Sequence, residues 1–217
     1  MMPPAIVPVL LLVGLGAAFA VLTRRVSQRL GRSADRFGRG DTAHDFVGRV
    51  YRVGGSVLFL FMMARVAIPE ADGLAGLIPG LTRPLLAWSG LAIMVGGSAI
   101  ILISQVQMGT SWRIGLDQDR TGLVTTGLFA WSRNPTFLGM LVVVSGVFLV
   151  APTAVTASVV TVAWISFSVQ IRMEEEHLLR MHGADYERYR DAVPRWILPR
   201  GILGAARVER DQSVNPG

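Results

Sequence analysis

The 217-residue sequence contains no cysteine and no lysine, and only three histidines, His44, His177 and His182. Without cysteine there is no disulfide, no thiolate nucleophile and no thiolate-held zinc or iron–sulfur cluster. Without lysine, a Schiff base is excluded, and the positive charge rests on 21 arginines that cannot be neutralised by deprotonation. Charge of either sign is scarce: 17% of residues are charged against 51% hydrophobic, and the mean hydropathy is +0.47. That balance is too apolar for a soluble domain of this size. The formal charge of +6 does not point to nucleic acid, because the arginines flank long apolar runs instead of alternating with aromatics on a soluble face. The anionic partner to expect is the surface of a lipid bilayer.

A hydrocarbon core about 30 Å thick needs roughly 20 apolar residues in helix. Five stretches approach that length: 4–22, 53–68, 84–106, 135–150 and 153–171. The last two are separated by Ala151 and Pro152 alone, which predicts a tight helical hairpin. The first has its positive charges after the apolar run, so it reads as an anchor and not as a signal peptide. Eight arginines fall in 23–52, one in 69–83, three in 107–134 and eight in 172–217. With five spans the alternation puts nearly all of them on one side, so the N-terminus is expected outside and the C-terminus in the cytoplasm. Arg65, near the outer end of its helix, is expected to snorkel to the headgroups. The fold class expected is an all-α integral membrane bundle of about five spans with a C-terminal cytoplasmic helical lid. Gly54, Gly55, Gly90, Gly96 and Gly97 would let helices approach closely in lipid.

Chemistry concentrates on either side of the hairpin. Before it stands Arg133-Asn134-Pro135, a helix-start signal in which Asn caps and Pro takes the first helical position. Such an end presents free N–H groups, and Arg133 beside it could grip a carboxylate or phosphate; a merely capped membrane helix is the plain alternative. After the hairpin comes Arg172-Met173-Glu174-Glu175-Glu176-His177. On a continuing helix the three carboxylates fan over three directions, so at least one points into the bundle. Carboxylates at this depth are costly unless paired or holding a cation, which singles out Glu174 and Glu175, with Arg172 at helical spacing from Glu175 and Glu176. Glu176 reads as a solvated helix end. Glu174-x-x-His177 has the spacing of half a di-iron motif, but no other span supplies an interior carboxylate, so no metal is expected. His177 and His182 read as surface residues and His44 as interfacial. Gly183 should end one short helix, and 185–192 should form a second, amphipathic one carrying Tyr186 and Tyr189, stopped by Pro194. In the loop before the hairpin, Trp112 and Arg113 are expected near the pocket, with a membrane anchor the alternative role for the tryptophan.

These residues resemble the membrane-embedded isoprenylcysteine carboxyl methyltransferases and their bacterial relatives, which share features with the phospholipid N-methyltransferases. The likeness rests on Arg133, Asn134, Pro135 and Gly139, then Glu174, Glu175 and Leu178, then Gly183, Tyr186, Tyr189, Val193, Pro194 and Arg195, an ordered set within 109–199. Two departures are Asn134 in place of a frequent His, which removes a titratable group, and Phe137 in place of Tyr, which removes a hydroxyl. The resemblance implies S-adenosylmethionine as methyl donor and a hydrophobic or membrane-associated acceptor: a prenyl-cysteine, an amino lipid, a thiol or another small molecule. It implies donor contacts from Arg133, Asn134, Pro135, Phe137, Gly139, Glu174, Tyr186, Tyr189 and Arg195, with Glu175 and Arg172 orienting or deprotonating the acceptor. On that reading 1–106 holds three spans and an Arg-rich loop, 107–200 is the methyltransferase core and 201–217 a loose tail, in a membrane expected to be a bacterial inner membrane. The alternatives are an NADPH-dependent membrane reductase of the sterol-reductase type and a non-catalytic membrane scaffold.

Overall fold

The computed structural model describes residues 1–31, 42–111 and 122–197. Trp112 and Arg113, and the tail from 198 onward, lie outside the described residues. Seven α-helices follow in order: α1 Ile6–Leu30, α2 Ala43–Ala67, α3 Ala71–Leu74, α4 Pro84–Met108, α5 Pro135–Val150, α6 Ala154–His182 and α7 Ala184–Ala192. No strand is present among the described residues; Leu77 and Thr153 form an isolated bridge. The all-α bundle is as expected.

Four helices are long and apolar enough to cross a membrane, α1, α2, α4 and α6. The fifth candidate, α5, has 16 residues. At 1.5 Å per residue it reaches about 24 Å, less than a hydrocarbon core. Large side chains such as Leu10, Leu60, Val95 and Ile165 face outward, as they do where lipid replaces water as the outer solvent.

The helix boundaries follow their caps more closely than their hydropathy. α2 begins ten residues before its apolar run, because Thr42 Oγ1 accepts the Asp45 N–H at 3.1 Å and donates to the Asp45 carboxylate at 2.7 Å. α6 opens on a reciprocal capping box between Thr153 and Thr156, which turns the chain directly after α5. It then runs past the expected end at 171 without interruption to His182, so Glu174 to Glu176 lie on the continuing helix, and 178–182 extend it and do not form the separate short helix expected. Gly183, at φ +52°, breaks the helix and starts α7. At the hairpin end, the α3–α4 connector is clipped to the α5–α6 turn by Ile78 N–H to Pro152 O at 2.8 Å and Ala154 N–H to Gly76 O at 2.9 Å. Arg65 is held nearby in a two-pronged pair with Asp72, at 2.5 and 3.0 Å, and not simply extended toward headgroups.

The closest helix contact is α4 on α5, where glycines face one another twice. A Cβ on Gly90 would stand 2.6 Å from the Gly146 carbonyl, and one on Gly139 would stand 2.8 Å from the Gly97 carbonyl; the reverse positions are equally tight. Gly54, Gly55 and Gly96 meet nothing within 4 Å. Of the five glycines expected to bring helices together, Gly90 and Gly97 therefore do so. Buried hydroxyls reinforce the contact, with Ser104 and Thr136 2.8 Å apart, and Gln105 ties α4 to α1 through Thr23 at 2.8 Å. Gly146→Val should lower stability by about 1–3 kcal/mol or more through overpacking, read as a fall in the unfolding midpoint in detergent. Gly96→Val, in open space on the same helix pair, should leave the midpoint unchanged; equal effects would show that the contact is not what holds the pair.

Candidate functional site

At the end of the bundle away from the hairpin turn, the chain entering α5 is stapled to the strap that leaves α7. The Arg133 N–H donates to Pro194 O at 2.9 Å, Ser132 Oγ donates to Arg195 O at 3.1 Å, and Tyr189 Oη donates to Phe129 O at 2.7 Å. Asn134 occupies the N-cap position and Pro135 the first helical one. The Asn134 side chain does not cap, however: its Nδ2 donates to Arg195 O at 3.3 Å, because the strap offers a carbonyl within reach. Trp196 stacks on Trp164 of α6 with ring centroids 5.5 Å apart, fixing the strap to the long helix as well.

Glu175 is the ionic centre of this junction. One of its oxygens accepts Arg133 Nε and Nη2 at 3.3 and 3.0 Å and Arg195 Nε at 3.0 Å, and the other accepts Arg195 Nη2 at 2.6 Å. Arg133 spends its remaining nitrogen, Nη1, on the carbonyls of Arg190 and Val193, both at 2.7 Å. With Glu175 9% exposed, a carboxylate this dry needs both guanidiniums. The bond to Glu175 in turn pushes the Arg195 guanidinium above its ordinary pKa, so the strap stays charged. Arg172, expected at helical spacing from Glu175 and Glu176, donates instead to Ser168 O at 2.6 Å.

Glu174, one residue earlier, points a different way. It lines a cavity of about 980 Å³ bounded by α1, α2, α5 and α6, together with Arg133, Asn134, Pro135 and Phe137. That volume lies at the upper end of ligand sites. Most of its wall is apolar, including Leu15, Val57, Met140, Val144 and Val159, and its polar lining includes Arg49, Tyr51, Ser158 and Gln170. Gln170 is 1% exposed; its Nε2 donates to Glu174 Oε1 at 2.9 Å, while its Oε1 has no partner. Aromatic rings line the same region, Phe167 packing at 5.5 Å on both Tyr51 and Phe137. Gln170 and Tyr51 were not singled out from the sequence. A lone glutamine within an apolar span is the available signal for the first; the second lies on the polar opening turns of α2, which hydropathy left out.

A smaller pocket of about 260 Å³ lies on the other side of Glu175, lined by Arg172, Glu176, Tyr186, Arg190 and Arg195. Burial, then the nearby Glu175 charge, pushes the Tyr186 phenol up to about 12, and burial raises Tyr189 too, so both remain proton donors. The expected site residues thus divide. Arg133, Asn134, Pro135, Phe137 and Glu174 line the large cavity, and Arg172, Glu175, Tyr186 and Arg195 line the small one. Gly139 packs against α4, and Tyr189 braces the strap. No group of three or more His, Asp or Glu placed to hold a metal occurs among the described residues.

Comparison with known proteins bears on the same region. Protein-S-isoprenylcysteine O-methyltransferases are similar to this chain: the Saccharomyces cerevisiae protein is 35% identical over 72 residues, the Schizosaccharomyces pombe protein 30% over 113 and the Dictyostelium discoideum protein 28% over 123. Those matches cover 33, 50 and 53% of this chain and 30, 48 and 50% of the relatives, so the chain spans half or less of the length of each. The profile of the phospholipid methyltransferase family matches residues 85–185, from the start of α4 through the Glu174-Glu175 pair into α7. Over α4 to α6 the chain is thus similar to that methyltransferase family, in keeping with the isoprenylcysteine methyltransferase likeness of its motifs.

Proposed function

We propose that the protein transfers a methyl group from S-adenosylmethionine to a lipid-like acceptor, a prenylcysteine-like molecule being the first to test, at the cytoplasmic face of a membrane. The observation that carries this reading is the large cavity itself: an apolar chamber wide enough for a hydrocarbon chain that ends on one carboxylate, Glu174, and one open carbonyl, Gln170 Oε1. The names of the relatives supply the reaction class and the prenylcysteine-like acceptor. The strong excess of arginine at the ends that flank the site supports a cytoplasmic location.

The residues present fit the donor. S-adenosylmethionine, when bound, supplies a methyl group on a positively charged sulfur. Glu174, Gln170 Oε1 and the faces of Tyr51, Phe137 and Phe167 form an environment that favours positive charge. Arg133 and Asn134 shape the mouth, though most of the Arg133 donors are already engaged with Glu175 and the strap. The apolar wall excludes water and aligns an acceptor along the cavity, so positioning is the main contribution of the chain. Glu175 does not line this cavity. Its role on this reading is to dock the strap that closes the site, a positioning role and not proton transfer.

Calorimetric titration of the detergent-purified protein with S-adenosylhomocysteine should give saturable binding, with NADPH giving none. Binding of NADPH alone would favour the reductase, and binding of neither would favour a scaffold. Glu174→Gln should weaken the titration about tenfold or more, the loss of one charge-assisted contact, with the unfolding midpoint little changed. Glu175→Gln should act in the opposite order. It strands two guanidiniums and should cost about 3 kcal/mol of stability, read as a lowered midpoint and faster proteolysis of the 193–197 strap. Unaltered proteolysis in that variant would sink the docking role.

A further inference from the structure

One buried phenol has no part in methyl transfer as proposed above. Tyr186 is 1% exposed, its ring packs edge-on against Tyr189 at 6.1 Å, and its hydroxyl has no hydrogen-bond partner. Tyr186 belongs to the small pocket beneath α7, whose other polar walls are Arg172, Arg190, Arg195, Glu175 and Glu176. A buried phenol kept as a proton donor has to find an acceptor. The neighbouring Glu175 is already taken by Arg133 and Arg195.

Charge decides what that acceptor is. Around the junction four arginines, 133, 172, 190 and 195, face two carboxylates, Glu175 and the exposed rim residue Glu176. Arg190 approaches Asp191 only at 3.8 Å, with both side chains well exposed, and Arg172 is engaged with a neutral carbonyl. Two guanidiniums are therefore left without a close anionic partner, and a phenol donor stands between α6 and α7. We propose that this pocket is an anion site that holds a phosphate group, Arg172 and Arg190 supplying charge and the Tyr186 hydroxyl a hydrogen bond. A tetrahedral group with several acceptor oxygens suits donors converging from two helices. The phosphate comes either from a lipid headgroup at the membrane surface or from a free phosphate compound.

The site is separate from the large cavity, and Glu175 stands between the two. Inorganic phosphate titrated into the full-length protein in neutral maltoside micelles should bind saturably. Tyr186→Phe and Arg190→Gln should each weaken it about tenfold. The unliganded Tyr186→Phe protein should unfold at the same temperature as wild type or higher, since it loses a buried donor that had no partner. Phosphatidylglycerol added to the micelles should compete with phosphate if the source is a lipid headgroup; phosphate binding without such competition assigns the site to a soluble phosphate compound. Absence of binding by both probes, or wild-type affinity in both variants, would overturn the proposal. So would displacement of phosphate by S-adenosylhomocysteine, which would give the pocket to the donor. A separate titration of S-adenosylhomocysteine in phosphate-free buffer decides the methyltransferase reading independently.

Discussion

One carboxylate shared by two guanidiniums organises the functional end of this molecule. Glu175 lies on α6, Arg133 on the approach to α5, and Arg195 on the strap after α7. Arg133 and Glu175 are 42 residues apart in sequence and Glu175 and Arg195 are 20, so the ion cluster closes two long loops at once. A buried ion pair is weak evidence for stability, because desolvation offsets most of the attraction. What it does supply is specificity: once Glu175 is buried, the chain has few arrangements that leave neither arginine nor the carboxylate unmatched. The Arg133 N–H bond to Pro194 O and the Ser132 hydroxyl bond to Arg195 O follow from that constraint, as does the turning of Asn134 away from its own helix end.

Helix geometry then separates two environments. Consecutive residues of an α-helix diverge by about 100°, so Glu174 and Glu175 cannot face the same space. Glu175 lies at the closed junction, and Glu174 looks into the chamber. That chamber exists because α5 is drawn onto α4. The paired glycines bring the two backbones into contact, and their carbonyls and small neighbours take no room for side chains. A helix held so closely on one side leaves its opposite face, with Phe137, Met140 and Val144, looking across a gap toward α2 and α6. The polar bridge between Ser104 and Thr136 fixes the same pair near the mouth.

Much of the fold was legible because hydropathy and arginine placement report directly on lipid burial. The hairpin at Ala151-Pro152, the start of α5 at Pro135 and the break at Gly183 all appeared where local chemistry demanded them. The early start of α2 did not, since Thr42 and Asp45 act through a cap that an apolar window does not register. Four of the five expected spans are long enough to cross a membrane, and the fifth, α5, is apolar yet only 16 residues long. At the site, the Arg-Asn-Pro and Glu-Glu segments converge as the hairpin required. Which residue meets which was hidden. Spacing along one helix pointed Glu175 toward Arg172, whereas its partners arrive from other elements, and long-range pairing leaves no periodic trace in sequence. Gln170 was hidden for another reason: one amide in a long apolar run resembles a tolerated polar residue until its burial and its open carbonyl are seen.

The two tyrosines of α7 show how little sequence distinguishes a brace from a binding group. Tyr186 and Tyr189 are three residues apart, both buried, and their rings touch. Tyr189 reaches a backbone carbonyl of the segment before α5, so its hydroxyl is satisfied by the fold itself. Tyr186 lies one turn closer to Gly183 and to α6, where the nearest carboxylate is already saturated by arginines. The same side chain on the same helix face therefore has a structural role in one case and, in the other, a donor left to be completed from outside. The difference comes from the Arg133–Glu175–Arg195 cluster, which engages both oxygens of the Glu175 carboxylate near Tyr186.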